Sequence, residues 1–434
     1  MNREYRILHT ADWHLGKLLH DRSRQEEHRR FLEWLVTLIQ EERIDALILA
    51  GDLFDSAHPS NATQRLYYDF VCTLSAEAPC VLVVIAGNHD SPAQLEAPGG
   101  ILRSLNAHVV GFPPADPADA LLYLPSREDP AVAVATVPFL RDRDLRTGRA
   151  GESAEEIRAA LTAGIAKRYL QVAEAHLASG LDCPLIGMGH LTVTGSQTSS
   201  SEREIHIGGL GSVSSAVFPA AFSYVALGHL HRPQTAGGDS RVRYSGSPLP
   251  LSFSEAGDRK EVCVVAVTGG EVAVTTLAVP PFRSLLRLSC RADAVEATLA
   301  GVEEGGGGIQ GAEGVVVPDG GGTIQGGGAP PLEPWIELTV GPGASAEEIN
   351  ERVRLAGEGR RWEVLKVQRE RTPGSSLPEE QQDGEDQLGS MIDDPAAVFA
   401  LLLEGRVDQE DQEARGALTR AFAQLLEQVQ EENR

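Results

Sequence analysis

Asp12, His14, Asp52, Asn88, His190, His229 and His231 sit in five short strings, DWH, GD, GNHD, GH and GHLH. Each string follows or ends an apolar run with strand character: RILHTADWH, DALILAGD, CVLVVIAGNHD, CPLIGMGH and SYVALGHLH. Strand ends in an α/β sheet converge on one edge, so separate segments can deliver side chains to one point. The set holds carboxylates, an amide and imidazoles but no thiolate, which suits a pair of divalent ions rather than structural zinc. Asp12 and His14 are two residues apart, as are His229 and His231, so on an extended strand end each pair faces one way. The Asp52 carboxylate has two oxygens and can bridge two ions. A two-metal hydrolase is the expectation. Taken singly, a DxH or GH string is more often a cap or a satisfied core histidine; the weight lies in all five, in order, each after an apolar run.

Residues 1–280 alternate strand-like and helical stretches, the pattern of an α/β domain. Ser23 and Glu26 have capping-box spacing ahead of an apolar stripe, Phe31, Trp34, Leu35, Leu38 and Ile39. Further helices are expected over Asn61–Ala76 and Glu152–Ala178. EVCVVAVTGGEVAVTTLAV reads as a hairpin that helps complete the domain as a second sheet. Pro280-Pro281 marks a boundary. Beyond it, over 281–371, SLLRLSC, WIELTV and WEVLKVQR read as strands, and Ser345–Ala356 as a helix with a Ser345/Glu348 capping box, together a small α/β cap. A glycine-rich insertion, 305–328, cannot bury enough surface to order itself, and no chemistry is assigned to it. A polar linker, 372–392, leads to two amphipathic helices over 393–434, with Asp394-Pro395 as N-cap and first helical residue. Helices on such a tether suit docking onto a partner.

A chain of 434 residues implies two or three domains, and 42% hydrophobic residues suffice for a sizeable core. Five cysteines form no CxxC pair, which argues against a disulfide framework or a cysteine-rich zinc knot. No signal-peptide core or long apolar run is evident, so a soluble cytoplasmic protein with no membrane association is expected. The net charge of −24 disfavours a simple nucleic-acid binder. From Arg371 onward fifteen acids face five arginines, so the tail supplies much of that charge, and divalent ions would offset more.

The five ordered strings resemble the calcineurin-like metallophosphoesterase superfamily. LHTADWHLGK, AGDLFD, AGNHDS, PFLRDRDL, GHLT, ALGHLHR and YSGSPLPLSF are similar to its SbcD-type bacterial nuclease family, over about residues 5–265 and more loosely beyond. The resemblance implies a β-sandwich flanked by helices. It places one metal on Asp12, His14, Asp52 and His231 and a second on Asp52, Asn88, His190 and His229, with manganese preferred and magnesium the alternative. His89 would face the scissile phosphate, and Asp90 would orient His89 or cap a loop. Also implied are 3′→5′ exonuclease action on duplex DNA ends, endonuclease action at hairpins, an SbcC-type ATPase received by the C-terminal helices, and a homodimer within a heterotetramer. ATP would act through that partner, since no GxxxxGK[ST] loop occurs. Some relatives carry histidine where this chain has Asp55, so no second catalytic histidine is transferred there.

Of the remaining histidines, His9 lies beside the site and reads equally as a support for its ligands or as core packing. His20, His28, His58, His108, His176 and His206 read as surface or capping residues. Two rival functions fit parts of the pattern: a metallophosphatase or cyclic-nucleotide phosphodiesterase acting on small or protein substrates, and a non-catalytic DNA-binding or scaffold subunit that regulates an ATPase.

Overall fold

The computed structural model describes residues 4–148, 151–199, 202, 211–302, 331–370 and 422. Five strands carry the strings: β1 (Tyr5–Thr10), β2 (Ala46–Ala50), β3 (Val81–Ile85), β4 (Leu185–His190) and β5 (Phe222–Gly228). β1, β2 and β3 are parallel neighbours in one six-stranded sheet; β4 and β5 are parallel neighbours in another. Both faces of these strands are buried, which explains runs of continuous rather than alternating hydrophobicity. Ile7, Ile48, Val83 and Ile85 of the first sheet pack against Val134, Ile186, Met188 and Ala226 of the second. Leu8, Leu47, Leu49 and Val84 point outward beneath helices α1 (Gln25–Glu41) and α2 (Asn61–Glu77). α3 (Ala154–Ala178) covers the second sheet through Leu161, Ile165, Tyr169 and Val172. The result is a β-sandwich between helical layers, with five strand ends arriving at one edge.

His9 lies within the sandwich, its Nδ1 2.9 Å from the Tyr224 hydroxyl and its Nε2 3.2 Å from the Leu227 carbonyl. It therefore ties β1 to β5 across the two sheets.

The structure corrects three local expectations. The 261–278 hairpin does not complete a second sheet: Glu261–Thr268 pairs antiparallel with β1, and Glu271–Ala278 forms the edge of the first sheet. Its burial explains the choice, since the inner strand is apolar on both faces and the outer one is largely exposed. Ser23 does not cap α1. It is held in a short hairpin with Leu18, its hydroxyl accepts only from the Gln25 amide at 3.3 Å, and Glu26 pairs with Arg29 and Arg30 rather than closing a capping box. His28 is not a surface residue; it lies on the buried face of α1 and is fully enclosed. By contrast Ser60, Ser153 and Ser345 accept from the backbone amides of Thr63, Glu156 and Glu348 at their helix starts.

Beyond Pro280-Pro281, strands Arg283–Cys290, Leu332–Val340 and Glu363–Arg369 form a parallel sheet with helix α4 (Ala346–Gly357) and its own core around Leu286, Leu288, Ile336 and Leu338. It belongs to the same compact unit as the sandwich, Met1–Glu370. Leu285 and Trp335 pack on Leu19, Phe253 and Ala256, and Arg283 lies over Trp335 while its Nε donates to Glu27 at 3.0 Å. The glycine-rich insertion, His206 and, Phe422 apart, both C-terminal helices lie outside the described residues.

Candidate metal centre

The strand ends turn sharply before they deliver the candidate ligands. β1 ends at Thr10, and Asp12 and His14 adopt φ of 54° and 45°; Asp52 and His229 have φ of 49° and 99°. The paired residues are thus not on extended strand as the spacing suggested. Four non-glycine residues in the left-handed region carry a local cost of order 1–3 kcal/mol each, held by surrounding structure. Here the restraint is a lattice of backbone bonds: the amides of Asp12, His14 and Leu15 donate to the carbonyls of Gly51, Asp52 and Leu53. Close approach also dictates two glycines. A Cβ on Gly51 would stand 2.2 Å from His190 Nδ1, and one on Gly87 2.1 Å from Asp52 Oδ1.

The seven side chains meet at one buried point. Asp52 Oδ2 lies 3.5 Å from His14 Nε2 and 3.4 Å from His190 Nε2, between the two imidazoles. His190 Nε2 is 2.8 Å from Asn88 Oδ1, and its Nδ1 is 3.9 Å from Asp12 Oδ1. The His231 ring stands edge-on to His14 at 5.2 Å, and His229 edge-on to His190 at 5.4 Å. Carboxylate and imidazole atoms of Asp12, His14 and Asp52 all lie within 4.8 Å of one another.

The electrostatics of this cluster are set by burial and by its own charges. Burial, reinforced by Asp52, pushes Asp12 well above the usual carboxylate range. Burial also opposes charge on Asp52, but His190, His14 and His89 outweigh it and hold the group well below that range. For His190 burial is likewise outweighed, by Asp52 and Asp12, giving a pKa of about 9. His14, His229 and His231 are driven down chiefly by burial and so favour the neutral form that binds metal. His14 Nε2 is buried without a hydrogen-bond partner, aimed at the Asp52 carboxylate. An orphaned imidazole nitrogen between buried carboxylates fits a divalent ion better than it fits a metal-free core.

Two residues brace the cluster in ways the sequence did not reveal. The Asp55 carboxylate sits 3.1 Å from His14 Nδ1 and accepts from Lys17 at 3.1 Å, while its backbone carbonyl accepts from His89 Nδ1 at 2.7 Å. Glu255 reaches His231 Nδ1 at 3.2 Å. The only signal for Asp55 was its place three residues after Asp52; Glu255 had none. Asp90 is buried, and its carboxylate accepts from the backbone amides of Leu53, Phe54 and Gly87 at 2.9–3.1 Å. It clamps the loop after β2 to the loop after β3. His89 sits beside the cluster at the edge of solvent, its amide on Asp52 Oδ1 at 2.9 Å and its ring 4.7 Å from that of His14.

Residues 5–233 match the calcineurin-like phosphoesterase family. The SbcD component of the nuclease SbcCD from Escherichia coli K12 is 43% identical over 279 residues, covering 63% of this chain and 68% of that one. Its namesake in Rhodobacter capsulatus is 42% identical over 61% of this chain and 67% of its own length. That of Bacillus subtilis is 38% identical over 62% and 68%. With the strand-end cluster of acids and histidines, these matches establish that the chain belongs to the calcineurin-like phosphoesterase family, as a hydrolase on the branch of the SbcD nucleases.

Proposed function

We propose that the chain is a two-metal DNA nuclease in which Asp12, His14, Asp52 and His231 would hold one ion and Asp52, Asn88, His190 and His229 the other. The observation that carries this reading is the Asp52 carboxylate poised between His14 Nε2 and His190 Nε2 at nearly equal distances. The all-oxygen-and-nitrogen donor set suits manganese, with magnesium as the alternative. Bound ions would supply Lewis-acid polarisation of the phosphate and a lowered pKa for attacking water.

The chain's own groups do the rest. His89 donates Nδ1–H to the Asp55 carbonyl, which fixes the ring so that Nε2 is the atom offered to the substrate. Protonated there, it stabilises charge on the phosphate or gives its proton to the leaving oxygen, leaving a 5′-phosphate and a 3′-hydroxyl. Asp90 holds the Asp52 and Asn88 loops in register and is a positioning residue in this reading. A groove of about 440 Å³ opens between sandwich and cap, lined by Lys17, His20, Phe253, Arg287 and Lys366 among others. Lys17 joins it to the centre through Asp55, and His20 stacks on Phe253 at 5.7 Å. Glu337 lines it too and pairs with Arg287 at 2.9 Å and with Lys366 at 3.3 Å, so a nucleic-acid strand would bind beside the aromatic stack by drawing these cations from their acids.

The substrates in this reading are duplex ends, cut 3′→5′, and hairpins, cut internally. The 393–434 helices would bind an SbcC-type ATPase, two copies of the chain would pair through α1 and α2 in a heterotetramer, and the complex would work on cytoplasmic DNA. No described helix is long and apolar enough to cross a membrane.

The test is incubation of the purified chain with manganese and end-labelled duplex and hairpin DNA, beside His89→Ala, with and without the ATPase. Cutting that requires manganese and His89 is expected. Hydrolysis of a simple phosphodiester with no DNA cutting in either mixture would move the substrate to the phosphatase class. DNA binding without any hydrolysis would favour the scaffold role.

A further inference from the structure

His231 is held from behind by a buried ion pair that lies outside the family match of residues 5–233. Glu255 is fully buried and Lys260 nearly so, and their Oε2 and Nζ are 2.6 Å apart. The other carboxylate oxygen, Oε1, is 3.2 Å from His231 Nδ1 and also accepts from Ser199 Oγ at 3.3 Å. Lys260 Nζ donates as well to the His231 backbone carbonyl and to Ser247 Oγ, both at 3.0 Å, and the Leu251 amide donates to Glu255 Oε2 at 3.1 Å. The pair therefore grips the ring and the backbone of one histidine at once.

A buried pair of this kind is not a general stabiliser. Desolvation of both charges offsets much of their attraction, and well-packed apolar replacements are often as stable. What the geometry supplies is direction. A carboxylate on Nδ1 fixes the tautomer, makes Nε2 the ligand atom and raises its basicity. Lys260 balances the charge and pins the peptide that carries the ring.

We propose that Glu255, charge-balanced by Lys260, is a positioning residue that presents His231 to one of the two metal sites and sets that site's affinity. This rests on the two-metal reading of the centre. The alternative is a purely structural ion pair, and three variants of the full chain separate the two. Glu255→Gln removes the directing charge and strands a buried ammonium. Lys260→Met keeps the carboxylate on His231 but leaves it unbalanced. Glu255→Gln with Lys260→Met removes both charges together.

The readouts are manganese titration calorimetry of the metal-stripped chain and its unfolding temperature in EDTA. Affinity should follow Glu255: one of two manganese sites weakens 10- to 100-fold in Glu255→Gln and in the double variant, and stays near wild type in Lys260→Met. The unfolding temperature should follow charge balance instead, falling in both single variants and recovering in the double. Affinity that tracks unfolding temperature across the three would overturn the proposal, as would a double variant that binds two ions like wild type. A wild-type chain that binds no divalent ion would instead sink the two-metal reading itself.

Discussion

Replacing His28 with leucine should make the protein more resistant to acid. The ring is fully enclosed on α1, and neither nitrogen meets a hydrogen-bond partner in good geometry. Burial, with Arg24 and His14 behind it, pushes its pKa from 6.5 down to about 3; the pull of the Trp13 backbone is the weakest of the influences. The folded state therefore stays neutral where the unfolded chain takes up a proton, so stability is intact above pH 6.5 and falls as pH drops toward 3. Between pH 7 and 5 this one residue costs about 2 kcal/mol, some 1.5 units at about 1.36 kcal/mol each. Leucine is close in volume, favours helix and leaves no polar atom to desolvate, so at pH 7 the variant should match wild type or exceed it by about 1–2 kcal/mol. His9, held near 3 mainly by burial, titrates alike in both proteins and cancels. Urea unfolding of the two proteins at pH 7 and pH 5, in EDTA, measures the difference. Equal losses on acidification would refute the argument, as would a leucine variant more than about 2 kcal/mol weaker at pH 7, because His28 would then carry a bond its surroundings do not offer.

Other consequences concern the centre and the groove. Gly87→Ala forces a methyl against the Asp52 carboxylate, so kcat should fall at least about 100-fold in a chain whose circular dichroism is unchanged. Asp90→Asn keeps one carbonyl oxygen for three backbone amides and turns an NH2 toward one of them; unfolding free energy should drop by about 1–3 kcal/mol, read by denaturant titration. Lys366→Ala and Arg287→Ala should each lower the slope of log affinity for DNA against log salt by about one, read by fluorescence anisotropy, without slowing hydrolysis of a small phosphodiester.

The proposed ligand set could be read from the sequence because each member follows an apolar run, and those runs became the buried parallel strands β1 to β5. The conformation of the ligands was not. Alternation suggested extended pairs, whereas Asp12, His14 and His229 turn into positive φ, a geometry set by backbone bonds to the loop after β2 and by a bond from the His229 amide to Asp12. Capping boxes were readable where the serine had nothing else to do, at Ser345, and misleading at Ser23, whose backbone pairs with Leu18. The two-sheet partition failed for the 261–278 hairpin because strand partners far apart in the chain leave no local mark. The same blindness hid His28 and the brace on His231, since Glu255 is 24 residues from that ring and Lys260 lies beyond it.

Anomalous diffraction at the manganese edge from manganese-soaked crystals tests most directly whether two ions share Asp52. Two peaks about 3.5–4 Å apart are expected, both within bonding distance of Asp52, one beside His14 and His231 and the other beside Asn88, His190 and His229. A single peak, or two peaks that do not share Asp52, would contradict the account.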